Sequence, residues 1–285
     1  MKSISSWFDG KVAIITGASS GIGKALALSL SRNKAVLVLA ARNETELKQI
    51  AGECEGNGVR AIAVPTDVAR QECCRQLMER SVSEFGRIDM LINNAGIDVI
   101  AKFEDLPDLN LFKKVVDVNF YGAVYCTFYA LPFLKHNCGR IVNVSSMGGV
   151  IAVPLNTSYV ASKFAINGFS DSLRMELLDA GVSVTVICPY WVVSRFHENY
   201  MDKNGTPKGQ AGRAVYTERM MSSDRCAEII IEAAKRRKRE IMLGPGKIGA
   251  LLKLIAPITT ERFTINRVLR PIEKRIRAEE ERRGA

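Results

Sequence analysis

The sequence predicts an α/β fold: a doubly wound Rossmann-type parallel sheet of about seven strands, helices on both faces, and a C-terminal helical extension. Three observations predict it. Short β-branched runs are almost wholly apolar rather than alternating, as strands buried on both faces require. A helix-length segment separates each run from the next, and parallel strands need such crossovers. The chain has 285 residues, 47% hydrophobic and 25% charged, which suits one globular domain with an appendage and excludes general disorder, collagen and a coiled coil.

The first strand is expected at 11–16 (KVAIIT) and the second at 35–40 (AVLVLA). Between them, Ile22, Leu26 and Leu30 recur at helical spacing over 22–32. Further strands are expected at 60–64, 88–92, 140–144, 182–187 and 240–243, with long helices over 120–136 and 159–179. Gly244-Pro245-Gly246 then breaks the pattern. Residues 1–246 are therefore expected to form a dinucleotide-binding catalytic domain and 247–285 a basic amphipathic extension, in which Phe263, Ile265, Val268, Leu269, Ile272 and Ile276 interleave with charges.

Net charge is +10, unevenly placed: 235–285 holds 15 Lys+Arg and 6 Asp+Glu, whereas the first 234 residues hold 25 and 24. The body is nearly neutral, so the charge concerns where the protein sits. Two occupants of the extension stay open, a packed partner (the body or a second subunit) and an anionic membrane surface. Nucleic acid is not expected, because no groove-reading or base-stacking module accompanies the basic residues. Seven cysteines without a C-x-x-C pair suggest a reducing compartment. The location expected is cytoplasmic, with peripheral membrane association left open. His136 and His197 lie far apart and no metal is expected. No signal peptide is expected, and the weakly polar stretch 120–134 falls short of the roughly 20 residues that cross a bilayer.

The first strand runs into Thr16-Gly17-Ala18-Ser19-Ser20-Gly21-Ile22-Gly23 and then a helix. Glycines at 17, 21 and 23 permit a tight turn, close approach to a pyrophosphate and close helix packing, with the helix N-terminus facing the phosphates. Gly17 to Gly21 also spells the G-x-S-x-G of a hydrolase elbow. Its place on the first strand leaves no earlier loop for a second oxyanion donor, and only His197 could follow as base. At the end of the second strand stands Arg42, with no acid until Glu44. A cation there suits a 2′-phosphate and hence NADP(H).

The chemistry is expected after the fifth strand. Tyr159 and Lys163, at i and i+4, share a helix face. A phenol titrates near 10, and an adjacent ammonium is expected to lower that value, making Tyr159 a general acid/base. Ser146 can hydrogen-bond the reacting oxygen.

These residues, together with Asp67-Val68, Asn93-Asn94-Ala95-Gly96 and Asn119, resemble the short-chain dehydrogenase/reductase family over about residues 10–245. The resemblance implies cofactor contacts from Gly17, Ser19, Ser20, Gly21, Ile22 and Gly23, with Asp67 and Val68 at the adenine and Asn93, Ala95 and Gly96 along the cleft. Pro189, Val192 and Ser194 would meet the nicotinamide end. It also implies that Lys163 binds the nicotinamide ribose, that Asn119 holds a water relaying protons to Lys163, and that Tyr159 protonates a carbonyl as hydride leaves the nicotinamide, or the reverse. Catalytic residues are thus Asn119, Ser146, Tyr159 and Lys163. Homodimers or homotetramers through the two long helices are common in the family.

One departure stands out: Tyr190 follows Pro189 where the family often has glycine, either narrowing the pocket or presenting an aromatic wall. Residues 195–223 should cover the substrate, with Phe196, Tyr200, Val215, Tyr216, Met220 and Met221 suiting a small hydrophobic ketone or secondary alcohol. Arg42 and the basic apolar extension together resemble the 11-beta-hydroxysteroid dehydrogenase-like branch, whose members often associate with membranes. A catalytically silent dinucleotide sensor or scaffold is the competing class, and the complete Ser, Tyr, Lys and Asn set argues against it.

Overall fold

The computed structural model describes residues 7–209, 220–244 and 246–271. Strands and helices alternate as β1 (Val12–Thr16), α1 (Gly21–Arg32), β2 (Val36–Ala41), α2 (Glu44–Glu55), β3 (Ala61–Pro65), α3 (Gln71–Phe85) and β4 (Met90–Asn93). There follow α4 (Asn110–Val116), α5 (Gly122–His136), β5 (Arg140–Val144), α6 (Thr157–Glu176) and β6 (Ser183–Cys188). The order closes with β7 (Val192–Val193), β8 (Met221–Ser222), α7 (Ser223–Lys235), β9 (Glu240–Met242), α8 (Gly246–Ile255) and α9 (Pro257–Thr264).

Seven strands form one parallel sheet in the order β3-β2-β1-β4-β5-β6-β9. Its two faces explain the unbroken apolar runs. Along β1, Ala13 and Ile15 enter a core shared with α1, α2 and α7, while Val12 and Ile14 enter another shared with α3, α5 and α6. In β2, Leu37 and Leu39 face the first core, and Val38 and Ala40 the second. Every residue of such a strand must be apolar. Strand order reverses between β1 and β4, and a crevice opens there at the carboxyl ends.

Two features differ from the expected pattern. The helix expected from 120 begins at Asn110, and a π turn over Asp117–Tyr121 joins α4 to α5. The π turn carries Asn119, and a Cβ on the next turn's Gly122 would lie 2.8 Å from Val68 Cγ2. In addition, β7 and β8 form a separate two-stranded parallel pair that brackets the segment over the crevice.

The extension makes a narrow seam with the body. A Cβ on Gly249 would lie 2.2 Å from Ile151 Cδ1, and Lys253 Nζ sits 4.5 Å from the Phe164 ring centre. The opposite side is apolar and open, with Leu254 81% and Ile255 71% exposed alongside Ile258 and Phe263. Ile272 and Ile276 of the expected amphipathic pattern lie outside the described residues. Among the described residues, no helix is long and apolar enough to cross a membrane, and no His/Cys/Asp/Glu group could hold a metal. All seven cysteines are free thiols, five of them buried.

Candidate active site

A single cleft of about 670 Å³ lies along the carboxyl ends of the central strands. One end is built by backbone. The turn after β1 holds Gly17 at φ +66° and Gly21 at φ +52°, the left-handed region that favours glycine. Close approach reinforces the requirement: a Cβ on Gly17 would lie 2.9 Å from Ala95 Cα, and one on Gly21 2.9 Å from Ser194 Cβ. Thr16 Oγ1 fixes the facing loop, accepting from the amides of Asn94 (3.0 Å) and Ala95 (3.1 Å).

Gly17, Ser19, Ser20, Gly21 and Ile22 line the cleft, as do Arg42, Asp67, Val68, Ala95 and Gly96. Farther along it lie Ser146, Tyr159, Lys163, Pro189, Val192 and Ser194. Three predicted residues stand behind the wall. Gly23 packs under the turn, where a Cβ would meet Gly17 O at 2.1 Å. Asn93, expected in the cleft, is buried, its Nδ2 donating to Thr127 Oγ1 and Asn143 Oδ1, because the side chain at the strand's last position faces the α5 layer. Asn119 is pinned on both sides of its amide: Oδ1 accepts from Ile97 N–H (2.8 Å), and Nδ2 donates to Ile97 O and Ser162 Oγ.

The other end is built by side chains. Tyr159 and Lys163 project from the same face of α6, with Lys163 Nζ 5.5 Å from the tyrosine ring centre. Lys163 is almost fully buried and donates to Val144 O at 2.9 Å. Burial lowers its ammonium to about 8, although Cys188 and Asp98 oppose that shift. Ser146 Oγ accepts from Gly148 N–H at 3.0 Å, and a Cβ on Gly148 would be 3.3 Å from Tyr159 Cε1, so serine and phenol are neighbours.

The acidity expected of Tyr159 needs correction. Its phenol is pushed up, first by burial and next by the charge of Asp98, with a hydrogen bond from Ser146 only partly offsetting them. The lysine shares the face, but its ammonium is directed at a main-chain carbonyl, and desolvation outweighs it.

The covering segment is aromatic. Trp191 stacks on His197 with ring centres 5.7 Å apart and planes 11° from parallel, and Phe196 packs on both Tyr159 and Tyr200. Tyr190 is half-exposed, edge-on to Trp191 and set against Gly244, so it presents an aromatic wall. Arg195 pairs with Glu46 of α2 at 2.8 Å and ties this segment to the cofactor end. Val215 and Tyr216 lie outside the described residues. Asp98 and Asn156 also line the cleft and were not anticipated, whereas Trp191 and, within the covering segment expected over 195–223, His197 and Met201 line it too. Only the aromatic run around 190–200 left a trace in the sequence.

The residues present fit a dinucleotide. Three glycines let the turn pack without side chains over a helix N-terminus, which favours phosphate. Arg42 reaches the cleft and forms no ion pair among the described residues.

This sheet, glycine turn and Ser, Tyr and Lys grouping define an oxidoreductase of the dinucleotide-binding class, and the chain belongs to the short chain dehydrogenase family, which it matches over residues 11–205. It acts between CH–OH and C=O, as that family does. Within the family it falls in the 11-beta-hydroxysteroid dehydrogenase branch. It is 34% identical over 236 residues to 11-beta-hydroxysteroid dehydrogenase A of Sesamum indicum, covering 81% of this chain and 68% of that one. An 11-beta-hydroxysteroid dehydrogenase-like 4A of Arabidopsis thaliana is 42% identical over 182 residues, covering 64% of this chain and 60% of that one. A short chain dehydrogenase/reductase from Burkholderia phymatum in complex with NAD superposes with a TM-score of 0.77 at 27% identity, covering 86% of this chain and 92% of that one. The alcohol dehydrogenase of the archaeon Thermococcus sibiricus, complexed with 5-hydroxy-NADP, gives 0.71 at 27%, covering 82% and 96%.

Proposed function

We propose that the protein is an NADP(H)-dependent oxidoreductase that interconverts a hydrophobic ketone and the corresponding secondary alcohol, with residues 1–246 as the catalytic domain. The observation that carries this reading is the single cleft joining the glycine turn and Arg42 at one end to Ser146, Tyr159 and Lys163 at the other.

When bound, the nicotinamide supplies or accepts hydride. Gly17, Ser19, Ser20, Gly21, Ile22 and Gly23 form the turn around the pyrophosphate, and Asp67 and Val68 flank the adenine. Ala95, Gly96, Pro189, Val192 and Ser194 bound the remainder of the cofactor path, with Asn93 supporting it from behind. Arg42 clamps the 2′-phosphate with its planar fork. Its lack of a carboxylate partner among the described residues supports NADP over NAD.

Ser146 holds the substrate oxygen, and Tyr159 delivers or removes its proton. The raised phenol stays protonated at neutral pH, the form that carbonyl reduction needs. Lys163 holds the nicotinamide ribose and, through Asn119 and a water, restores the proton to Tyr159. The walls of Phe196, Trp191, Tyr200 and Met201 suit a lipophilic molecule.

The open apolar side of α8 and α9, beside lysines and arginines, supports attachment of the extension to an anionic lipid surface. Truncation after Gly246 is expected to weaken sedimentation with anionic liposomes. Unchanged sedimentation, or dissociation of a dimer, would instead favour a subunit contact.

The test of the chemistry is Tyr159→Phe. Turnover is expected to fall by about 10²–10⁴-fold while NADPH binding, followed by fluorescence, is retained. Activity at the wild-type level would sink the assignment.

A further inference from the structure

Among the described residues, Asp98 is the one carboxyl lining the substrate end of the cleft. It follows β4 and is only 3% exposed. Its Oδ2 accepts from Asn156 Nδ2 at 2.6 Å, while Oδ1 is buried without a hydrogen-bond partner. A buried carboxylate oxygen left in this way is costly. Burying a titratable carboxyl in such a place calls for a compensating role.

Its partners connect three segments. Asn156 is the residue immediately before α6, the helix that carries Tyr159 and Lys163. An asparagine at that position ordinarily accepts a bond from the first turn of the helix. Here it makes no such bond and donates to Asp98 instead. The main chain of Asp98 accepts from Met201 N–H at 3.0 Å, and Ile100 N–H donates back to Met201 O at 2.9 Å, so the same residue also anchors the covering segment. Ala101 N–H bonds Leu155 O at 3.0 Å, closing the loop onto the start of α6.

Resting on the oxidoreductase reading of this cleft, we propose that Asp98 is a positioning residue of the reaction. Through Asn156 it sets the start of the helix that carries Tyr159 and Lys163, and its carboxyl shares the cleft with that pair.

Burial raises Asp98 to about 8, with the Val99 amide, Asn156 and Lys163 opposing the shift. At neutral pH it is a neutral acid. Its proton rests on Oδ1, because Oδ2 is occupied as an acceptor. Above about 8 it becomes an anion that raises both the Tyr159 phenol and the Lys163 ammonium. Among the described residues, the other titratable and charged groups around this part of the cleft are Lys114 of α4, Tyr190, and Arg195, His197 and Tyr200 of the covering segment, with Cys188 behind Lys163. Burial holds His197 below its ordinary value, so its imidazole is neutral here.

The consequence is directional. An anionic Asp98 keeps Tyr159 protonated to higher pH, extending reduction on the alkaline side and delaying oxidation of the alcohol. Asp98→Asn retains an acceptor for Asn156 and removes only the charge. It is expected to move the alkaline limb of the reduction profile, and the rising limb of oxidation, to lower pH by about half to one unit. Asn156→Ala leaves the charge and frees the helix start. It is expected to lower kcat about tenfold with the limbs at wild-type pH. Limbs of Asp98→Asn that coincide with wild type, or an Asn156→Ala enzyme with undiminished kcat, would overturn the proposal.

Infrared difference spectra separate this proposal from the reading beneath it. A protonated-carboxyl band at neutral pH, present in wild type and lost in Asp98→Asn, supports the proposed state of Asp98 whether or not any carbonyl is turned over. Absence of that band from wild type overturns it. A wild-type protein without turnover on any carbonyl would instead defeat the oxidoreductase reading.

Discussion

The two ends of the cleft are made by different means. The dinucleotide end is local and built by backbone, with three glycines within a few residues of one another, a helix N-terminus and one arginine at the next strand's end. The substrate end is assembled from afar: Asp98 meets Asn156 across 58 residues, and Arg195 meets Glu46 across 149. The first end can hardly change without losing its ligand. On the reading proposed above, the second sets which substrate fits and at what pH the chemistry runs.

The largest contrast is expected from breaking the local end. Gly23→Val places a branched side chain where even a Cβ would meet Gly17 O at 2.1 Å. NADPH affinity should fall at least about 100-fold, because the turn must open before phosphate reaches its amides. Calorimetric titration checks this, with circular dichroism to verify the fold. Arg42→Ala should be milder and selective, raising the Kd for NADPH by about 10–100-fold, the worth of a charge-assisted hydrogen bond or two. The Kd for NADH should scarcely move. An unaltered ratio would remove the phosphate clamp.

At the assembled end the effects should be smaller and fall on substrate. Trp191→Ala removes the ring stacked on His197 and is expected to raise KM for a lipophilic ketone by about tenfold, with NADPH affinity kept. A further effect concerns stability. Asp98 titrates at about 8 in the folded protein and near 4 in an unfolded chain. Between those values the native state holds the extra proton, so stability falls as pH rises. The Tm of Asp98→Asn relative to wild type should therefore climb from about pH 4 to about pH 8 and then level off. A constant difference would show that Asp98 is not proton-linked to folding.

The same contrast explains what could be read from the sequence. The sheet was legible because burial on both faces makes the inner strands almost wholly apolar, as in 12–15, and the glycine turn was legible because its requirements are contiguous. Tyr159 and Lys163 were legible through one helical spacing. Asp98 and Asn156 were not, since nothing in either sequence neighbourhood signals that they meet. Asn93 was misplaced because the direction of a side chain at a strand end depends on the layer behind it. The direction of the Tyr159 shift was misjudged for a related reason: spacing revealed the lysine, whereas burial and the charge of Asp98 come from the assembled cleft. The helix start at Asn110 was hidden among mixed charged and β-branched residues, and the π turn within it has no periodic signature.

The most direct measurement follows NADPH and NADH absorbance with the wild-type protein across a panel of lipophilic and hydrophilic ketones. Carbonyl-dependent oxidation that is faster with NADPH and with the lipophilic members is the predicted result. Tight NADPH binding with no oxidation on any member would contradict the account and leave a dinucleotide-binding protein without chemistry.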